Sequence, residues 1–174
     1  MTSSLFEDWS NRVPKYDSIY KEILFKEITQ YGGGTDEGRT NKGKDFENGY
    51  ELYIYAFFLG LYNDEFHPIS KKNKKADFNH KISLWGNKGN RVLRNDFSEI
   101  QKYMFMACIA KSDVDFIALE KGKIEVSKVA LQLIETMESY TNGGLEMISL
   151  KLETQRTLFD QPTGFFDLIY TKGN

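Results

Sequence analysis

The stretch most suggestive of catalysis is Asp113-Val114-Asp115-Phe116-Ile117-Ala118-Leu119-Glu120-Lys121-Gly122-Lys123-Ile124-Glu125. Two carboxylates on adjoining strands, with a lysine shortly after the second, can hold a magnesium ion and stabilise an attacking water. Asp115 and Glu125 are the candidate carboxylates here. The lysine position is filled by Ser127, and Lys128 comes one residue late. In a strand that slip turns the lysine to the opposite face. The same residues also read as a short helix over 113–120 stopped by Gly122, and this is the reading that period and register favour.

A second frame, Gly38-Arg39-Thr40-Asn41-Lys42-Gly43-Lys44-Asp45, has the glycine and lysine spacing of a phosphate-cradling loop. That chemistry needs Ser or Thr after the lysine to bind magnesium, and a buried strand before the loop. Asp45 stands in place of the hydroxyl and would repel the phosphate, and an amphipathic helix precedes the glycines. His67 beside Asp64 and Glu65 has the composition of an acid–base cluster, but its position just past an apolar helix and before Pro68 reads as a surface turn. Glu146, Glu153 and Asp160 read as solvated helix faces. Cys108 is the only cysteine, set in the apolar run 104–110, where a buried, inert thiol is expected. With His67 and His80 the only histidines, the sequence yields no catalytic residue, no metal site and no cofactor.

The most substantial charge feature lies between Ser70 and Arg94. Lys71, Lys72, Lys74, Lys75, Lys81, Lys88, Arg91 and Arg94 are opposed there by Asp77 alone, although the whole chain carries a formal net charge of -2. Lysines on a loop can follow a phosphate backbone without reading bases, and Trp85, with Phe78 nearby, is placed to stack on an exposed base. The bland alternatives are a solvated lysine loop and a tryptophan that anchors the loop to the core.

The elements that must carry these residues are helical. At 174 residues, 40% hydrophobic and 28% charged, the chain has the balance of one globular domain. Tyr16 to Tyr31 repeats apolar residues at three- and four-residue steps, with Gly32 as a stop. The glycine-rich run 32–44 is a loop. Tyr50 to Tyr62 is apolar nearly all round, which predicts a central helix, with Gly60 permitting a close helix crossing. The 70–94 segment predicts a long connection with one helical turn around 81–86. Asp96-Phe97-Ser98-Glu99 predicts a capping box for a helix ending near Lys111. Val126 to Tyr140 is amphipathic, Asn142-Gly143-Gly144 reads as its stop, and a further helix runs from Leu145 to about Phe159. Phe165 to Tyr170 is expected to close the domain after Pro162. The expected fold is all-α: a single helical domain over 1–174, a bundle of six to seven helices with a long basic connecting loop. The N-terminus lacks the pattern of a secretion signal, and the longest apolar stretch falls short of the roughly 20 residues that span a bilayer. A cytoplasmic location with no membrane partner is therefore expected.

Two resemblances add to this. The 113–125 segment resembles the metal-binding hairpin of restriction-type nucleases, with the departures just described. The stretch Phe46-Glu47-Asn48-Gly49-Tyr50-Glu51-Leu52-Tyr53-Ile54-Tyr55-Ala56-Phe57-Phe58-Leu59-Gly60-Leu61-Tyr62, followed by His67-Pro68-Ile69, is similar to the small helical proteins associated with bacterial DNA phosphorothioation (Dnd-type) gene clusters. That resemblance implies a bacterial protein of a DNA-modification or antiviral-defence locus and carries over no catalytic residue. The combined expectation is a non-enzymatic accessory protein that binds nucleic acid, DNA ahead of RNA, through the basic loop. The rival expectations are a protein–protein interaction module, drawing on the 13 Phe and 10 Tyr, and a metal-dependent nuclease around Asp115 and Glu125.

Overall fold

The computed structural model describes residues 4–29, 45–86, 96–161 and 163–169. Its elements in chain order are α1 (Leu5–Ser10), β1 (Lys15–Asp17), a π-helical segment (Lys21–Phe25) running into α2 (Lys26–Ile28), α3 (Gly49–Asn63), β2 (Lys75–Asp77), a 3-10 turn (Ile82–Leu84), α4 (Ser98–Ala110), α5 (Phe116–Glu120), α6 (Val126–Thr154), a 3-10 turn (Leu158–Asp160) and α7 (Gly164–Asp167). The protein is thus mainly α. The all-α expectation missed one small sheet, in which β1 pairs with β2. Three-residue strands are too short to show alternation, so their pairing leaves no periodic trace in the sequence.

The chain divides into two compact units, each assembled from separated segments. The first comprises residues 1–15 and 77–138. Its core is built around Trp9, Ile82, Trp85, Met104, Cys108, Leu133 and Met137, all at most 1% exposed. Ser4 caps α1 through a reciprocal pair with Glu7, the arrangement that satisfies two orphan backbone donors at a helix start. Arg12 closes this end, donating to Asp8 Oδ1 at 2.8 Å and to the Ser127 carbonyl at 2.8 Å. The Cys108 thiol lies in this core, and burial pushes its pKa well up, so it is held as the neutral, unreactive thiol.

The helix predicted to end near Lys111 does so, but its start differs in detail. Asp96 accepts from the Ser98 backbone at 2.9 Å, as a cap does. Glu99 turns to Lys102 Nζ at 2.6 Å instead of reaching back.

The second unit comprises residues 16–76 and 139–174. The predicted central helix is α3, whose Leu52, Tyr53, Ile54, Ala56, Phe57, Leu59 and Gly60 are buried. Within this unit α3 crosses the second half of α6 at glycines. A Cβ added at Gly60 would land on the Tyr140 carbonyl, and one at Gly144 on the Ala56 carbonyl, both far inside contact distance. The crossing anticipated at Gly60 is therefore present.

Gly143 and Gly144 do not stop the helix: α6 continues through them to Thr154. They are glycine because the backbones of α3 and of the residues after it press directly on them, and tertiary packing outweighs their poor helix propensity. An aromatic cluster of Phe46, Tyr55, Phe159 and Phe165 fills the other side of α3, with Phe46 at 5.6 Å from both Phe159 and Phe165. Tyr55 Oη donates to the Phe165 carbonyl at 2.7 Å.

The helix expected from Tyr16 starts later, because Tyr16 and Asp17 belong to β1. The π-helical widening then changes which side chains face inward. Tyr20, Leu24 and Phe25 are buried, while Ile19 and Ile23, expected on the same face, are 57% and 45% exposed. A wider turn spaces inward positions by four to five residues instead of three to four.

Candidate nucleic-acid interface

The residues between α3 and β2 form an exit path tied down at two points. Asp64 ends α3 in the left-handed region, with φ of 57°. The backbone N–H of Glu65 donates to the Gly60 carbonyl at 2.8 Å, and that of His67 to the Ser139 carbonyl at 3.0 Å. The imidazole is held between two carboxylates, with Nδ1 at 2.6 Å from Glu146 Oε2 and Nε2 at 3.2 Å from Glu65 Oε2. Phe66 packs edge-on against Tyr140 at 5.1 Å.

His67 therefore does meet carboxylates, though not the set its neighbours in sequence suggested. Asp64 takes the Tyr140 hydroxyl at 3.4 Å. Glu146, read as a solvated helix residue, supplies the closest contact. The two residues are 79 apart in sequence, so no local pattern could pair them. The cluster is a half-exposed side-chain clamp between the α3 exit and α6.

The second tie lies at the basic turn. Asn73 Nδ2 donates to the buried carboxylate of Asp17, and the Ser18 backbone N–H donates to the Lys74 carbonyl at 2.9 Å. Asp17 also accepts from the Ile19 backbone at 3.1 Å. The pKa of the buried Tyr20 hydroxyl is pushed up to about 12, first by burial and then by the Glu146 and Asp17 carboxylates. On this braced backbone Lys71, Lys72, Lys74 and Lys75 are all exposed. Lys71, Lys72 and Lys74 lie on the turn and Lys75 opens β2, while Asn73 between them, itself exposed, reaches across to Asp17.

The other expected contact residues are distributed differently. Lys81 is exposed at the head of the 3-10 turn in the first unit. Lys88, Arg91 and Arg94 lie outside the described residues, as does the glycine-rich frame from Gly38 to Lys44. Trp85 corrects an expectation: it is 1% exposed, its ring meets Phe78 edge-on at 6.5 Å, and its carbonyl accepts from Gln101 Nε2 at 3.1 Å. It anchors the segment to the core and offers no face to a base. The helical turn expected around 81–86 is present as the 3-10 turn at Ile82–Leu84, directly before Trp85.

The nuclease-like arrangement is also overturned. Residues 116–120 form α5, not a strand, and Asp115 caps it by accepting from the Ala118 backbone at 2.9 Å. Gly122, with φ of 68°, ends it in the left-handed conformation that glycine tolerates. A carboxylate committed to a helix start cannot converge with Glu125 from paired strands.

One apolar groove of about 450 Å³ opens on the second unit, lined by Tyr55, Phe58, Leu59, Leu61, Tyr62 and Ile169. Among the described residues no helix is long and apolar enough to cross a membrane. Comparison with protein-family models, with curated proteins and with solved structures finds no match to this chain.

Proposed function

We propose that the protein binds nucleic acid through electrostatic contact between the turn at 71–75 and the phosphate backbone, as a non-enzymatic accessory factor. The observation that carries this reading is the presentation of four exposed lysines on a turn fixed by Asp17, Ser18 and the β1–β2 pairing. Cationic side chains on a fixed backbone lose less entropy on meeting phosphates than the same side chains on a free loop. Each phosphate neutralised releases condensed counterions, which gives binding a steep salt dependence. The similarity of 46–69 to proteins of DNA phosphorothioation clusters points to DNA and to a modification or defence role.

The test is fluorescence anisotropy of the whole chain with labelled DNA and RNA over a salt series, beside a variant carrying Lys71, Lys72, Lys74 and Lys75 changed to Ala. The wild type should bind at low salt with an affinity that falls as salt rises. The variant should lose most of that affinity while keeping its thermal transition. Binding by the variant equal to wild type would move the site elsewhere.

A further inference from the structure

Resting on the backbone-contact reading above, we propose that the partner is double-stranded nucleic acid, gripped along its phosphates by the 71–75 turn without reading base sequence. Three features of the segment point to this class. The first is the position of its tryptophan. Proteins that prefer single strands gain roughly 1–3 kcal/mol for each base stacked on an aromatic ring. Trp85 is packed in the core of the first unit, against Phe78 and with its carbonyl bonded to Gln101, so it cannot supply that energy.

The second feature is the chemistry of the donors. Base edges are read by planar groups that make paired hydrogen bonds, chiefly Arg, Asn and Gln. At this turn the exposed donors are lysine ammonium groups, which any phosphate oxygen satisfies. The turn's only planar amide, Asn73, is engaged by Asp17. The third feature is the bracing itself. The Ser18–Lys74 hydrogen bond and the β1–β2 pairing hold the lysine backbone in one shape. A fixed row of charges matches a regular, stiff polyanion better than a flexible strand. With charge as the main attraction, the duplex is favoured by its higher charge density and larger counterion release.

The most exposed large aromatic rings near the turn in sequence are Phe66, 47% exposed, and Tyr62, 65% exposed, whereas Phe78 is half-buried against Trp85. The two exposed rings decide how the experiment is built. The full-length protein is titrated with two labelled DNA duplexes of unrelated sequence and with an oligo-dT strand of equal length, each across a salt series. Single Lys71→Ala, Lys72→Ala and Phe66→Ala variants are titrated in parallel. Both duplexes should bind within about twofold of each other and several-fold more tightly than oligo-dT. The duplex log–log salt slope should lie near -3, as expected for about three to four phosphate contacts. Each lysine variant should flatten that slope by about one, and Phe66→Ala should leave it unchanged.

Oligo-dT binding as tightly as duplex and weakened by Phe66→Ala would overturn the duplex assignment while leaving backbone contact standing. A tenfold difference between the two duplexes would overturn it as well. Failure to bind any of the three at low salt would overturn both this inference and the functional reading beneath it.

Discussion

The crossing of α3 with α6 and the turn at 71–75 belong to the same unit, and both are fixed by contacts remote in sequence, but the means are opposite. At the crossing two backbones touch with no side chain between them, through Gly60, Gly143 and Gly144. At the turn the backbone is exposed and held by individual polar bonds to Asp17 and Ser18. Close packing tolerates no added atom, because a filled interior cannot move aside. A polar tie whose donor is exposed, as Asn73 is, can be replaced in part by water, so its loss costs less. The first region should therefore govern stability and the second should be free to carry function.

The contrast can be broken most sharply at Gly144. Gly144→Val sets a branched side chain on the Ala56 carbonyl and should destabilise the protein by about 3 kcal/mol, at the upper end of overpacking effects. Urea denaturation measures it, and a loss below 1 kcal/mol would mean that the helices separate easily and the contrast is false. The turn should respond more mildly. Asn73→Ala removes one partner of the buried Asp17 carboxylate and should cost about 1 kcal/mol. Its nucleic-acid affinity should fall modestly, since the four lysines remain but lose their fixed spacing. A stability loss as large as that of the Gly144 variant would place the turn in the structural core.

The smallest effect is expected at a third position. Asp45 precedes α3, and its pKa is raised chiefly by burial and then by the Asp160 carboxylate, with a backbone hydrogen bond opposing. A carboxyl whose folded pKa is raised favours the fold while protonated, and that contribution is lost as pH rises through the folded value. At neutral pH the ionised group is therefore mildly unfavourable. Asp45→Asn should stabilise by only about 0.3 kcal/mol near pH 7, after allowance for solvent screening. The gain should vanish in acid below the ordinary carboxylate range. Thermal unfolding at the two pH values checks the sign, and destabilisation at pH 7 would show that the ionised carboxylate has a favourable partner.

The same contrast explains what the sequence made legible. Apolar length alone marked α3, and periodicity marked the first part of α6, where Val129, Ala130, Leu133, Ile134 and Met137 are buried as expected. The Gly122 stop after α5 was visible because it acts within a few residues, whereas Asp115, read as part of the helix or as a metal-binding carboxylate, turned out to be its cap. Gly143 and Gly144 were misleading because the residue that ends a helix is also the residue that lets another backbone touch one. Only the partner segment distinguishes the two uses, and it lies about 80 positions away. The π-helical segment defeated the three-to-four residue rule for Ile19 and Ile23. At the candidate site the lysines were plain from composition, whereas Asp17, Asn73 and the His67–Glu146 pair depend on tertiary contact. Trp85 showed the limit of proximity: lying among lysines in sequence, it points into the core.

The glycine crossing also constrains how this chain can change over evolutionary time. Surface positions on α3 and α6 can drift freely, but the lengths of the two helices around the contact cannot. Inserting one residue on either side of Gly60 rotates everything beyond it by about 100°. That would carry a large neighbour such as Leu59 or Leu61 to the place where only a hydrogen atom fits. Insertions and deletions should therefore accumulate outside both helices, and the spacing from Ala56 to Gly60 should persist together with a small residue at 144. A pair of positions that must stay small together is a recognisable signature, and it would identify relatives of this protein after most other similarity had worn away.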